Sequence, residues 1–344
     1  MDLLSRAAQE LSGRPFVPHP LFKGAHAQTL AAYAWPRRHQ LRHQSYEERL
    51  FTVAPGVKVL AHCHWQESPS SHPTLLIWHG IEGSSSSVYM LSMAKKGFQS
   101  GFNVLRFNLR NCGGTESLTP TLYHGGLSED LHAVVSELAE VDRLKKFCVV
   151  GFSLGGNMSL KLAGEYRSQA PEEIVAICAV SPSVDLNASS ETISLRTNWI
   201  YEQNFLKRLR NRIWLKQKLY PDLYDTAGLN QVFTLRDFDE LYTARAHGFE
   251  DVDDYYHRAS SLRVIEHIRI PTLIIHAEDD PFIPFAPLRD PVFAANKNIL
   301  MLAPQHGGHV GFIAAKAMNN HSAIEDRFWA ENRVLEFCRL ATEN

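Results

Sequence analysis

Residues 149–160 read VVGFSLGGNMSL, an apolar run that breaks at a glycine, reaches a serine two residues later and enters a helical pattern. The frame is G-x-S-x-G, filled by Gly151, Phe152, Ser153, Leu154 and Gly155. A serine on a sharp strand-to-helix turn needs small residues two positions to either side, because tightly packed backbone there lifts the hydroxyl above the sheet. The bare pattern recurs by chance; the strand before it and the helix after it give the match its meaning. A turn of this kind also serves as a packing corner or as a phosphate loop, but a phosphate loop would end in Gly-Lys-Ser/Thr, which is absent. Ser153 is therefore the candidate nucleophile.

Outward from this turn, short apolar runs alternate with helical patterns. TLLIWHG, FNVLRFNL, FCVVGF and EIVAICAV read as strands, and SVYMLSMAKKGFQSG, SEDLHAVVSELAEV and LGGNMSLKLAGEY as helices between and after them. Strands that are apolar throughout, separated by helices, describe a mostly parallel sheet covered on both faces. In the helix at Ser128, the serine is expected as N-cap, with Glu129 and Asp130 in the positive first turn. Earlier, RLFTV and VKVLAHCHW read as two strands around a turn at Pro55 and Gly56, preceded by an arm rich in proline and aromatics. The rhythm stops over residues 183–260, where ETISLRTNWIYEQNFLKRLRNRIWLKQK and FTLRDFDELYTARAHGF mix aromatic and charged residues at helical spacing. It resumes with PTLIIHAEDD, NILMLAP and a terminal helix around SAIEDRFWAENRVLEFCRL. The expected organisation is a core in two parts, residues 1–182 and 261–344, with residues 183–260 inserted over the sheet.

With 344 residues, 44% of them hydrophobic, the chain has material for a large core. A formal net charge of -2 supplies no overall field for nucleic acid or anionic lipid, so neither is expected as a partner. The basic cluster FLKRLRNRIWLKQK interleaves Lys207, Arg208, Arg210, Arg212, Lys216 and Lys218 with apolar residues, and reads as an amphipathic surface helix in preference to a membrane contact. No apolar stretch approaches the ~20 residues that span a bilayer, and MDLLSRAAQELSGRPF carries acid and polar residues where a signal peptide is apolar. The five scattered cysteines suggest reduced thiols. Together these features give a cytoplasmic expectation. His62 and His64 in AHCHW share a strand face without a third ligand nearby, so no metal is expected.

A lone hydroxyl is a weak nucleophile and needs a base, itself oriented by a third group. On a strand-serine-helix turn of this kind, the acid follows the serine in the chain and the histidine follows the acid. TLIIHAEDDPFIP is the late strand that ends in acids: Asp280, directly before Pro281, is favoured, Asp279 is the runner-up, and Glu278 fits a solvated turn carboxylate. The histidine belongs after the next strand, in APQHGGHVGF, where Gly307 and Gly308 let the loop bend inward. His309 is expected to take the Ser153 proton and to donate to Asp280, leaving His306 as a neighbour without an assigned role. An oxyanion needs two fixed N–H donors. Leu154 supplies one at the start of its helix, and Ile81 in WHGIEGSSSS supplies the other, with His79 and Gly80 shaping that turn.

These residues resemble the YheT-like family of the α/β-hydrolase superfamily, through AHAQTL, HGIEGS, GFSLGGNM, RDFDELYTARAHGFEDVDDYY, PTLIIHAEDDPF and HGGHVGF, which together span most of the chain. The resemblance implies an α/β-hydrolase fold with a helical lid or cap, and the set Ser153, Asp280 and His309. In FNLRNCGGTE, Asn111 precedes Cys112 where the family tends to carry an Arg-Gly-Cys turn, which puts the shape of that loop in doubt. Members include esterases, phospholipases and acyl-ester synthases. The expected function is hydrolysis of carboxylic esters, short- to medium-chain or lipid-like, without cofactor. Acyl transfer to an alcohol and a silent, binding-only hydrolase fold are the alternatives.

Overall fold

The computed structural model describes residues 2–35, 37, 41, 45–315 and 325–343. Eight strands form one sheet in the order β1-β2-β4-β3-β5-β6-β7-β8. They are β1 (Glu47–Ala54), β2 (Val57–His64), β3 (Thr74–Trp78), β4 (Asn103–Asn108), β5 (Phe147–Phe152), β6 (Ile174–Val180), β7 (Thr272–Ile275) and β8 (Ile299–Leu302). The first two pair antiparallel with each other, β2 pairs antiparallel with β4, and β4, β3, β5, β6, β7 and β8 run parallel. This is the mostly parallel α/β sheet expected from the strand and helix rhythm.

The continuous apolar strands follow from burial on both sides. In β5, Phe147 and Val149 join the cluster on one face, while Cys148, Val150 and Phe152 join the cluster on the other. The first face is covered by α4 (Ser128–Glu140) and α5 (Leu154–Tyr166), through residues such as Val134, Leu138, Met158 and Leu162. The second is covered by α1 (Leu3–Ser12), α3 (Val88–Gln99) and α11 (Trp329–Thr342), through Leu11, Met90, Met93, Val334 and Phe337. Helix α2 (Ala25–Ala34) lies between α1 and β1 in the chain, and the short α10 (Pro291–Ala295) between β7 and β8. The terminal helix begins at Trp329, later than the pattern suggested, and residues 322–324 of that pattern lie outside the described residues.

Between β6 and β7 the chain forms α6 (Leu186–Ile193), α7 (Trp199–Leu219), α8 (Leu235–Phe238) with a wider π-helical continuation over Asp239–Ala244, and α9 (Val252–Ala259). Its middle builds a cluster from Leu206, Leu209, Ile213, Leu235 and Phe238, closed below by Leu122, Phe282 and Ile283 from the loops that follow β4 and β7. Its two ends, at Val184, Leu186, Tyr255 and Tyr256, pack into the sheet's own core. The long helical reading from Glu191 to Lys218 is interrupted, because α6 stops at Ile193 and a 3-10 turn at Arg196–Asn198 precedes α7.

Two local expectations need comment. Ser128 is the first helical residue and not the N-cap; its hydroxyl donates to Glu165, which α5 brings alongside, so no side chain caps α4. Asp130 in that first turn is instead held by Arg110, through Nε at 2.7 Å. Asn111, the departure from the family turn, has φ 64° and donates through Nδ2 to Thr121 O. Asparagine is one of the few residues that takes the left-handed region readily, so it preserves the backbone that glycine would give.

The tightest packing lies under the quoted turn. A Cβ on Gly151 would fall 2.2 Å from Gly155 O, and one on Gly155 would fall 2.7 Å from both Trp78 O and His79 O. Backbone cannot yield as a flexible side chain does, so Gly151→Ala is expected to cost about 1–3 kcal/mol. Chemical denaturation of the variant against wild type measures it, and an unchanged midpoint would contradict the packing described.

Candidate active site

Ser153 stands at φ 54° and ψ −117° between β5 and α5. Such a conformation costs of order 1–3 kcal/mol for a residue with a Cβ and persists only where its surroundings fix it. Here its amide donates to Val180 O on the neighbouring β6 at 2.9 Å, and Gly80 presses close enough that a Cβ there would sit 2.8 Å from Ser153 Cβ. The hydroxyl is thereby held at the positive end of a 13-residue helix.

The two aspartates after β7 divide their work. Asp280 is buried, and its Oδ1 accepts the amides of Phe282 and Ile283 at 2.9 and 3.0 Å. Its Oδ2 lies 2.8 Å from His309 Nδ1. Burial raises its affinity for a proton, but the facing His309, the nearby His276 and the Ile283 amide outweigh that and hold it below the ordinary carboxylate value. An ionised carboxylate accepts only, so His309 donates through Nδ1 and its Nε2 is left as the proton acceptor. Asp279 serves the loop: its Oδ1 accepts Gly308 N at 2.9 Å and its Oδ2 lies 3.1 Å from His306 Nδ1, on a half-exposed imidazole. Glu278 faces Arg289 at 3.6 Å on the surface.

A support for this loop comes from α2, whose motif AHAQTL carried no assigned role in the sequence. Gln28 is fully buried; its Oε1 accepts Ile313 N at 2.8 Å, and its Nε2 donates to Ile313 O at 3.1 Å and to Phe22 O at 2.5 Å. Thr29 Oγ1 accepts the His309 amide at 2.9 Å and donates to Ala25 O at 2.8 Å. The helix and loop approach so closely that a Cβ on Gly308, at φ 59°, would fall 2.4 Å from Ala25 O. The contacts to His309 and Ile313 join residues more than 250 positions apart, and no local pattern announces them.

The loop after β3 is shaped as expected at His79. Its Nδ1 donates to Gly80 O at 2.7 Å and its Nε2 accepts Leu109 N at 3.0 Å, which requires the neutral ring. Burial keeps it so, pushing its pKa down to about 4. The neighbouring amides are engaged: Gly80 N donates to Tyr89 OH, Glu82 N to Tyr123 OH and Gly83 N to Gly80 O. The Ile81 and Leu154 amides have no acceptor among the described residues. Glu82, at φ 53°, is gripped from above, since Arg212 of α7 donates to Oε1 and Oε2 at 2.8 Å and Tyr123 OH donates to Oε1 at 2.9 Å.

Two cavities meet at Ser153. The outer one, about 660 Å³, is bordered by His309, the Gly80–Val88 loop, Thr29 and Tyr33 of α2, and Phe205 and Arg208 of α7. The inner one, about 80 Å³, runs beneath residues 183–260 between Leu154, Leu186, Leu209, Phe238 and Ile283. Ile81 borders both. Ser153 and His309 thus face one space, with no direct hydrogen bond between them among the described residues. Such bonds often tighten only when substrate is bound.

Residues 73–315 match the family described as alpha/beta hydrolase fold. The chain is 30% identical over 328 residues to "Putative esterase YheT" of Escherichia coli (strain K12), covering 94% of this chain and 92% of that protein. It is 29% identical to Phospholipase ABHD3 of Mus musculus over 71% of this chain, and spans 59% of that relative's length. Among solved structures, the Pyrococcus furiosus esterase Pf2001 shares the fold at a TM-score of 0.52 and 19% identity, over 78% of this chain and 86% of that one.

The Thr29 contact predicts a kinetic effect. Replacing it by valine removes the acceptor for the His309 amide, a loss of about 1–1.5 kcal/mol in loop positioning, and kcat is expected to fall about tenfold with KM little changed. Thr29→Ser keeps the hydroxyl and is expected to restore most of the rate; equal rates for the valine and serine variants would refute the role.

Proposed function

The chain belongs to the α/β-hydrolase family, in its YheT-like branch, and on that footing we propose that it is a serine hydrolase that cleaves carboxylic esters through Ser153, His309 and Asp280. The observation that carries this reading is the ordered line from buried Asp280 through His309 to a cavity that also holds the strained Ser153. Ser153 Oγ attacks the ester carbonyl while His309 Nε2 takes its proton, and Asp280 stabilises the imidazolium that forms. The Ile81 and Leu154 amides donate to the oxyanion, both being without an acceptor among the described residues. His309 then returns the proton to the leaving alcohol, and water activated by the same nitrogen frees the acid from Ser153.

The two cavities support a division of the substrate into two halves. The leaving oxygen must meet His309, which borders only the outer cavity, so the alcohol occupies that side and the acyl group the inner one. A water needs about 10–15 Å³ on this measure, so 80 Å³ offers roughly five to eight such positions, room for an acyl chain of a few carbons. The larger outer space suits a bulky alcohol, in keeping with the phospholipase relative. Residues 183–260 act as the cap that roofs both. That outer space also favours a second outcome, in which an alcohol and not water receives the acyl group. Rising alcohol concentration separates the two, because transfer diverts product from acid to new ester.

Ser153→Ala is expected to lower ester turnover by about five to six orders of magnitude with an unchanged circular dichroism spectrum, and Asp280→Asn by about four. Retention of turnover within about tenfold in Ser153→Ala would exclude the mechanism. For esters of one alcohol, kcat/KM is expected to peak at short acyl chains and to drop for dodecanoyl. A maximum at dodecanoyl would contradict the acyl assignment.

A further inference from the structure

The lining of the inner cavity is not wholly apolar. Asp239 opens the π-helical turn Asp239–Ala244, a conformation that is rare and frequent at functional sites. Its carboxylate is set deep in the protein, the residue as a whole is half-buried, and it borders the same cavity as Ser153. Thr243 Oγ1 donates to Oδ1 at 2.6 Å and Tyr256 OH to Oδ2 at 2.9 Å. A carboxylate has room for about four donors. Among the described residues no third donor and no cation reaches it, so its remaining lone pairs lack a partner from the protein. Burial raises its pKa to about 6, and the two hydroxyl donors offset only part of that rise, so at neutral pH it is largely ionised. Ser189 and Ser190 border the same cavity, and Tyr256 OH also reaches Ser190 Oγ at 3.1 Å.

Resting on the ester-hydrolase reading above, we propose that Asp239 is a specificity residue that accepts a hydrogen bond from the end of the acyl chain, so that the preferred substrates are esters of short acids carrying a terminal hydroxyl. A plain methyl end would leave a buried acceptor unmet, and a site built to bond a hydroxyl discriminates strongly against an analogue that lacks it. A terminal ammonium fits worse, because its desolvation is costlier than a hydroxyl's.

The test compares ethyl esters of propanoic to hexanoic acids with their chain-terminal hydroxy and amino counterparts, followed by acid release. At the length that reaches Asp239, the hydroxy ester is expected to exceed the plain ester about tenfold in kcat/KM, and Asp239→Leu to bring that ratio to about one or below. Asp239→Asn, which keeps an acceptor oxygen, is expected to retain part of the preference. The proposal is overturned if wild type prefers plain or amino esters at every length, or if a folded, active Asp239→Leu keeps the ratio. Should Asp239→Leu not fold, the wild-type series decides alone. Failure of the hydrolase reading is distinct, since it would appear as hydrolysis of plain esters that survives Ser153→Ala.

Discussion

The site depends on one strained residue. Ser153 holds a positive φ at the point where a central parallel strand becomes a helix, and nothing in its own side chain favours that backbone. The strain is maintained by neighbours that have no side chain to spare: Gly151 and Gly155 pack backbone on backbone, and Gly80 approaches from the next loop. The sheet order places β5 between β3 and β6, so the loop after β3 and the start of α5 flank the hydroxyl from two sides. The Ile81 and Leu154 amides, the proposed oxyanion donors, therefore lie on the two elements that flank the proposed nucleophile.

Around that turn, three distant segments hold the reacting groups without touching their reactive atoms. Helix α2 fixes the histidine loop through Gln28 and Thr29, Asp279 fixes it from the other side at Gly308, and Arg212 of α7 fixes the loop that carries Ile81 through Glu82. Glu82 and Arg212 are both buried, so removing either would leave an uncompensated charge beside the nucleophile. The helical segment that borders the cavities is thus mechanically tied to the loop that carries the Ile81 amide, a proposed oxyanion donor. Substrate shape and reactivity share one set of contacts.

Much of this was legible in the chain because its signals are local. The apolar runs and helical periods located every strand of the sheet, and the Gly-x-Ser-x-Gly turn lies between the elements that its flanks implied. The order serine, acid, histidine led to Ser153, Asp280 and His309; the fold puts Ser153 and His309 on one cavity and Asp280 against His309 at 2.8 Å. What stayed hidden depends on contacts across long separations. The roles of Gln28 and Thr29 need the end of the chain to be laid on α2, and the hydroxyl of Ser128 was diverted from capping by Glu165 on another helix. The split between Asp279 and Asp280 is equally tertiary: adjacent carboxylates differ only in which face of the turn meets His309. The break between α6 and α7 has no proline or glycine to mark it.

The central claim is that Ser153 is a nucleophile activated by His309. Labelling with a fluorophosphonate, followed by peptide mapping, tests it most directly. One adduct on Ser153 is expected, forming far more slowly in His309→Gln while His306→Gln labels as wild type does. An unlabelled protein, an adduct at another residue, or equal labelling rates in the two histidine variants would contradict the account.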